Sequence, residues 1–198
     1  MEQYGFTAEE VAFMVSSHSG EPLHVQLVEQ VLKKINLTTE VLACGTSKPI
    51  NSKAAKDLML NKQPFGAVHN PCSGKHSGML ALATMLGIQV EGYTQLEHPV
   101  QQMMHQAVAD SAKLSVEQVE TGIDGCGVPV FYLPLFNMAW AYARLAKPEM
   151  GNWGEREPYI RIIRDAMLAH PQVVAGTKRM DTVLMNVTKG RILAKIGA

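Results

Sequence analysis

The sequence predicts an α/β protein of the α+β kind, in which helices dominate and strands are few. Most of the periodic segments place apolar residues at helical spacing, and only two short segments have the pattern of strands. The 198 residues suffice for one ordinary core, and no repeat or low-complexity tract divides them, so we expect a single domain over residues 1–198. A sheet this small rarely stands alone, so further strands are expected outside this chain or from another subunit.

Three helices are predicted in the first third of the chain. A capping-box pattern at Thr7 predicts a short helix that ends near Ser16. Residues 22–35 carry apolar side chains at helical spacing, with two lysines in the last turn, where they complement the helix dipole. Residues 52–60 form another helical pattern.

The next predicted helix begins in the segment that carries most of the candidate chemistry, residues 69–78. Asn70 is a favoured N-cap residue, and Pro71 fits the first helical position because its missing N–H has no intrahelical partner. Gly87 is the expected stop. Cys72 and Lys75 are then three residues apart and project from one face of the first turn.

The remaining elements follow in the second half. Helices are predicted over residues 98–112, 135–145 and 155–170, and strands over residues 118–123 and 191–196. The chain stops abruptly after the second strand pattern, which we interpret as a break within the fold.

Composition excludes several classes of function. Basic and acidic residues number 18 each, so a neutral chain gives no reason to expect nucleic acid or anionic lipid as a partner. No apolar run reaches the length of a membrane span. The first residues also lack the basic and apolar regions of a secretory signal, so a cytoplasmic location is expected.

The three cysteines, Cys44, Cys72 and Cys126, are odd in number and widely spaced, which argues against a disulfide framework. Cys44 follows an apolar run and fits a buried core thiol. Cys72 lies at a helix start, where the dipole favours the thiolate and disfavours the charged form of Lys75. With Cys126, which lies between two glycines, they could hold Zn²⁺ and leave one position open. Cysteines that are merely small buried residues remain the alternative.

A second polar segment, residues 16–22, lies between two predicted helices. Its hydroxyls and imidazole could supply a nucleophile and a base. On composition alone, the simpler interpretation is a turn that caps the following helix. A nucleophilic serine needs a base within hydrogen-bond reach, and the remaining candidate is a lysine from elsewhere in the chain. A P-loop is excluded, because His69 and His76 occupy the positions that it requires for Gly and for Ser or Thr.

Together these segments resemble a known family. Four ordered stretches are similar to the L-asparaginase II family, typified by an inducible, thermolabile rhizobial asparaginase, and the similarity spans nearly the whole chain. The stretches are residues 17–24, 69–76, 122–129 and 194–198.

The resemblance implies a fold like serine β-lactamases and bacterial glutaminases, a homodimer, and hydrolysis of L-asparagine to L-aspartate and ammonia. It implies zinc held by Cys72, Lys75 and Cys126, beside Ser–Lys pairs of which Ser17 and Lys195 form one. Carried over in the same way, His76 and Asp124 lie around the substrate and the metal. A Gly-Thr-x-Arg stretch places Arg179 where its guanidinium could bind a substrate carboxylate.

The chain departs from the family pattern at one point. Family members carry a Ser-x-x-Lys motif upstream of the residue 17–24 stretch, and no serine here has a lysine three residues later. Family chains also continue beyond the last stretch, so we expect this chain to be the central portion of the fold, truncated at both ends. Two alternatives therefore stay open: an inactive zinc-binding fragment or pseudoenzyme, and a related glutaminase or serine amidase.

Overall fold

The capping box predicted at Thr7 begins the first helix of the computed structural model, which describes residues 4–197. Thr7 Oγ1 accepts a hydrogen bond from the N–H of Glu10 (3.2 Å), and the Glu10 carboxylate accepts one from the N–H of Thr7 (2.7 Å). Both bonds satisfy donors that a helix start leaves unpaired. Met1–3 and Ala198, the last residue of the fourth stretch, lie outside the described residues.

Helices account for most of the described chain, and one hairpin supplies its strands. The helices are α1 (Ala8–Met14), α2 (Pro22–Lys34), α3 (Ser52–Leu60), α4 (Ser73–Met85), α5 (Pro99–Ala112), α6 (Leu135–Ala146), α7 (Glu157–Ala169), α8 (Pro171–Val174) and α9 (Met180–Val187). The strands are β1 (Glu120–Ile123) and β2 (Pro129–Tyr132). Short 3₁₀ turns lie at Thr39–Val41, Ala67–His69, Val116–Gln118, Pro148–Met150 and Gly154–Arg156.

The predicted helices are confirmed as α1 to α7, with small shifts at their ends. Helix α4 begins at Ser73 rather than at Pro71. Asn70 Oδ1 accepts a hydrogen bond from the N–H of Cys72 (2.9 Å), while the N–H of Ser73 bonds to the Asn70 carbonyl (2.9 Å). Asn70 thus caps a tight turn that leads into the helix. Helices α8 and α9 were not predicted.

The helix-dominated class is confirmed, but the strand predictions hold only in part. Residues 120–123 pair antiparallel with β2, which was not predicted, in a register that joins Glu120 to Tyr132 and Ile123 to Pro129. The strand predicted over residues 191–196 is wrong, because the described part of that segment contains no strand. A strand needs a neighbour that hydrogen-bonds to its backbone, and no described strand pairs with this segment.

The core forms where α1 and α2 pack against α4, and α7 and α8 cover the other side of α1. Phe13, Val28, Val31 and Leu80 are fully buried there. Helix α4 lies so close to α1 that a Cβ at Gly74 would overlap the carbonyl oxygen of Phe13. This close packing brings the loop after α1 against the start of α4.

Helix α6 is apolar but mostly exposed, and polar contacts hold it in place. Its buried residue, Arg144, lies over the Trp153 ring and donates hydrogen bonds to backbone carbonyls of residues 110, 111, 151 and 152. Large exposed side chains on this helix are Leu135, Phe136, Trp140 and Tyr142. Among the described helices, none combines the length and the hydropathy needed to cross a bilayer.

Candidate active site

Two of the sequence stretches meet where the hairpin turn touches the start of α4. Potential ligand atoms of Cys72, Asp124 and Cys126 lie within 4.8 Å of one another. Lys75 Nζ is 3.0 Å from Asp124 Oδ2, and Cys126 Sγ is 3.4 Å from the same oxygen. The structure therefore brings the three expected metal ligands together, with the Asp124 carboxylate among them.

The hairpin turn places its side chains by backbone hydrogen bonds. The N–H of Asp124 bonds to the Val128 carbonyl (2.8 Å), and the N–H of Gly127 bonds to the Asp124 carbonyl (2.9 Å). The Asp124 carboxylate also accepts the N–H of Gly125 (2.7 Å). These bonds fix the turn, so Cys126 is buried against the core while Asp124 faces Lys75.

The thiols of Cys72 and Cys126 have very different pKa values. The neighbouring Cys126 thiol, together with the positive charge of Lys75, lowers the pKa of Cys72 to about 7. The same pairing of thiols, together with burial, raises the pKa of Cys126 to about 12. The expected direction for Cys72 is confirmed, but the largest cause is the neighbouring thiol rather than the helix start.

Lys75 behaves differently from the expectation of a neutral amine. Burial works against its charged form, but Asp124, Cys72 and Cys126 outweigh burial and raise the pKa of Lys75 above its ordinary value. A carboxylate 3.0 Å away stabilises an ammonium more strongly than the helix start disfavours it. In this arrangement Lys75 is a charged partner of Asp124.

His76 is fully buried behind this cluster and is oriented by Tyr93. The Tyr93 hydroxyl accepts a hydrogen bond from the N–H of Ala43 (2.9 Å), so its own proton points to His76 Nδ1 (2.6 Å). Nε2 then carries the ring proton, and it has no hydrogen-bond partner among the described residues. The imidazole lies close enough to Cys126 to favour its thiolate.

The donors fit a divalent metal ion that prefers sulfur and nitrogen. Two thiols, one carboxylate and one amine converge, and a buried N–H donor of His76 lies behind them. Thiolates that bind metal are commonly supported by such outer hydrogen bonds. Cys72, Asp124 and Cys126 thus form a possible metal-binding group.

The turn that contains Ser17 is fastened to the start of α4. The N–H of His18 bonds to the carbonyl of Pro71 (3.2 Å), and the N–H of Ser17 bonds to the Val174 carbonyl (3.0 Å). His18 Nδ1 accepts the N–H of Gly20, so Nε2 carries the proton and donates to Ser73 Oγ (2.8 Å). Ser17 therefore lies beside the residues that flank Cys72.

Lys195 lies within electrostatic range of the same cluster. Desolvation and the positive charge of Lys75 lower the pKa of Lys195, while Cys72 and Asp124 act in the opposite direction. Its Nζ donates to the carbonyl of Ile196 (2.9 Å). No hydrogen bond between described atoms joins Lys195 to Ser17, so the Ser–Lys pair stays a prediction.

Arg179 lies in a different place. It lines a cleft of about 460 Å³ that the cluster residues do not line. The cleft also contains side chains from the turn before α2, namely Ser19 and Glu21, and from the start of α3, including Asn51 and Lys53.

Sequence reasoning missed several polar residues that build the site. His18 was considered only as a base for a neighbouring serine, whereas its partner is Ser73, 55 positions away. The sequence predicts no role for Tyr93, and Glu21 enters only as part of the polar segment 16–22. Glu21 carries no local signal, because the donors that allow its burial come from Thr177, 156 positions away.

Comparison with known proteins links these stretches to one family. In a comparison with curated proteins, no sequence matched the chain. The family model described as L-asparaginase II matches residues 1–198, which include all four stretches. The match covers the residues of the thiol and carboxylate cluster as well as the turn that carries Ser17. The chain therefore belongs to the L-asparaginase II family.

Proposed function

We propose that the protein hydrolyses the side-chain amide of L-asparagine to L-aspartate and ammonia at a Ser–Lys site beside zinc. Family membership indicates an asparaginase-type hydrolase that acts on amides of small molecules. The observation that carries the proposal is the attachment of the Ser17 turn to the start of α4, through the N–H of His18 and the carbonyl of Pro71. This contact supports Ser17, the neighbour of His18, as a nucleophile candidate near Cys72.

Ser17 is the proposed nucleophile and Lys195 its base. A lysine accepts a proton only when it is neutral, and the lowered pKa of Lys195 increases the neutral fraction. The Ser17 hydroxyl passes its proton to Lys195 Nζ while its oxygen attacks the amide carbon. The amide nitrogen takes that proton from Lys195 and leaves as ammonia, which leaves the acyl group on Ser17. Water then attacks the acyl carbon, releases L-aspartate and restores the Ser17 hydroxyl.

Cys72, Cys126 and Lys75 are the proposed zinc ligands. When bound, Zn²⁺ supplies positive charge that polarises a carbonyl oxygen. Lys75 must give up its proton and its ion pair with Asp124 to become a ligand. The Asp124 carboxylate would then be free to accept hydrogen bonds at the cluster. The proposed role of Arg179 is to bind the substrate carboxylate in its own cleft.

A fold like serine β-lactamases, a homodimer and a cytoplasmic location stay predictions. The helix-rich architecture with one hairpin is compatible with a fold like serine β-lactamases. The exposed apolar side chains of α6 offer a surface that a second copy could cover.

The test measures ammonia release from asparagine and from glutamine, with metal content measured by elemental analysis. We expect release from asparagine, and a loss of about a thousandfold or more in Ser17→Ala. Ser47→Ala is the matched control, because Ser47 is also half-buried and lies on a loop. Cys72→Ala should lose zinc, whereas Cys44→Ala should keep it.

Other outcomes identify the alternatives. Faster release from glutamine would indicate a related glutaminase. Release from neither amide, with zinc present, would indicate an inactive zinc-binding protein. Full activity in Ser17→Ala would contradict the nucleophile assignment.

A further inference from the structure

A buried carboxylate joins the turn before α2 to the turn before α9. Glu21 Oε1 accepts hydrogen bonds from Ser19 Oγ (2.7 Å) and from the N–H of Thr177 (2.6 Å). Its Oε2 accepts one from Thr177 Oγ1 (2.7 Å). Glu21 is 9% exposed, and 156 positions of sequence separate the two partners. A buried carboxylate with three donors is a strong and directional attachment.

The backbone at Gly176 fits closely against this carboxylate. A Cβ at Gly176 would overlap Ser19 Oγ, and the residue has a φ of +124°, which side chains rarely tolerate. On the other side, Thr182 Oγ1 donates to the Gly176 carbonyl (2.7 Å). The turn is therefore held between Glu21 and the first turns of α9.

Arg179 follows this turn directly. It is the N-cap residue of α9, and Lys178 before it has a left-handed φ of +60°. A lysine keeps this uncommon conformation only where surrounding contacts hold it, so the turn between Thr177 and Arg179 depends on those contacts. Arg179 is half-buried and lines the same cleft as Ser19 and Glu21. Within residues 4–197 its guanidinium makes no hydrogen bond or ion pair, so its donors are free for a ligand.

We propose that Glu21 is a positioning residue, which holds Thr177 and thereby sets the Arg179 guanidinium in the cleft where the carboxylate of an amino-acid substrate binds. The part of this proposal in which Arg179 binds a substrate carboxylate rests on the proposed function. The attachment itself rests on the three hydrogen bonds of Glu21 and on the close fit of Gly176.

The charge state of Glu21 suits this role. Burial alone would raise the pKa of Glu21, but the hydrogen bonds from Thr177 and Ser19 outweigh it and lower the pKa. The carboxylate is therefore ionised at neutral pH and can accept all three bonds.

The first experiment tests the attachment without any substrate. Glu21→Gln turns an amide NH₂ toward donors that need an acceptor, so we expect amide exchange at Thr177 to rise about tenfold. Labelling of Arg179 by phenylglyoxal, followed by mass spectrometry, should change several-fold. Glu10→Gln is the matched control, because Glu10 is also a buried carboxylate and bonds to Lys34 far along the chain. Unchanged exchange and labelling, or the same changes in Glu10→Gln, would overturn the proposal.

Variants at Thr177 give a second route should Glu21→Gln fold poorly. Thr177 is exposed, so its substitution disturbs little packing. Thr177→Val removes the Oγ1 donor and should increase Arg179 labelling, whereas Thr177→Ser keeps both bonds and should match the unchanged protein. Equal labelling in the two variants would count against the role of Glu21.

The second experiment tests the link to Arg179 in a double-mutant cycle. Glu21→Gln and Arg179→Ala should each raise KM for asparagine about tenfold and leave kcat within about twofold. If Glu21 acts through Arg179, Glu21→Gln adds nothing in the Arg179→Ala background, and an additive rise in KM would overturn the proposal. Absence of any amide hydrolysis would remove the proposed function, while exchange and labelling would still decide whether Glu21 holds Arg179.

Discussion

At the scale of single residues, the unequal thiols give a direct prediction for the metal-free protein. Cys72 has a pKa of about 7, whereas burial raises the pKa of Cys44 to about 11 and that of Cys126 reaches about 12. Because alkylation follows the thiolate fraction, the rate at Cys72 should rise about tenfold per pH unit below pH 6 and level off above pH 8. Iodoacetamide labelling with mass spectrometry measures each cysteine separately.

Two variants test the cause of this reactivity. Lys75→Met removes a charge that favours the thiolate, so the midpoint for Cys72 should move to higher pH. Asp124→Asn removes a charge that disfavours it, so the midpoint should move to lower pH. Equal reactivity of all three cysteines, or a shift of either variant in the other direction, would refute the assignment.

Single residues also show how far sequence reasoning reaches. The direction of the Cys72 shift was predictable, although its largest cause is the Cys126 thiol rather than the helix start. The charge of Lys75 was not, because it depends on Asp124, 49 positions away. Glu21 escaped notice for the same reason, since the donors that let a carboxylate be buried come from Thr177. Contacts between distant segments carry no local pattern.

At the scale of elements, the packing of α4 on α1 depends on Gly74. A Cβ there would overlap the Phe13 carbonyl oxygen and approach Ser16 Oγ, and neither backbone can yield without moving a helix. We therefore expect Gly74→Ala to destabilise the protein by about 1–3 kcal/mol or more, in spite of the higher helix propensity of alanine. Urea unfolding at neutral pH measures the change.

Gly78, one turn later on the same helix, is the control. A Cβ at Gly78 would meet Met14 Cβ at 3.2 Å, which a shift of a few tenths of an ångström relieves, whereas the overlap at Gly74 is with backbone. Gly78→Ala should therefore destabilise the protein less than Gly74→Ala does, by about 1 kcal/mol at most. Equal losses in the two variants would show that backbone crowding is not the cause.

The elements differ in how well the sequence predicts them. Helices α1 to α7 carry their own apolar period and caps, so their positions were predicted to within a few residues. Strand β2 depends on pairing with β1, and a four-residue strand has almost no periodicity of its own. The segment 191–196 has the residue pattern of a strand, but no described strand pairs with it, so the prediction from its local pattern is wrong.

At the scale of the whole molecule, buried polar side chains join the loops around the site. His18 and His24 are fully buried and stack with ring centroids 4.6 Å apart, and His69 is nearly buried beside the same loops. His24 accepts the N–H of Glu21 and bonds to the Gln172 carbonyl, so it links the turn before α2 to α8. The convergence of three distant sequence stretches thus depends on neutral imidazoles.

These histidines make stability depend on pH. Burial lowers the pKa of His18, His24 and His69, so below about pH 6.5 the unfolded chain binds more protons than the folded one. Stability is therefore full above that pH and should fall as pH drops, by at most about 1.4 kcal/mol per pH unit for each histidine, until the pH passes below the pKa of that histidine in the folded protein. Urea unfolding at pH 5 to 8 should show a shallower slope in His24→Gln, whereas Leu27→Ala, which adds no titrating group, should lower stability with the slope unchanged. A slope that His24→Gln leaves intact would mean that other groups govern acid unfolding.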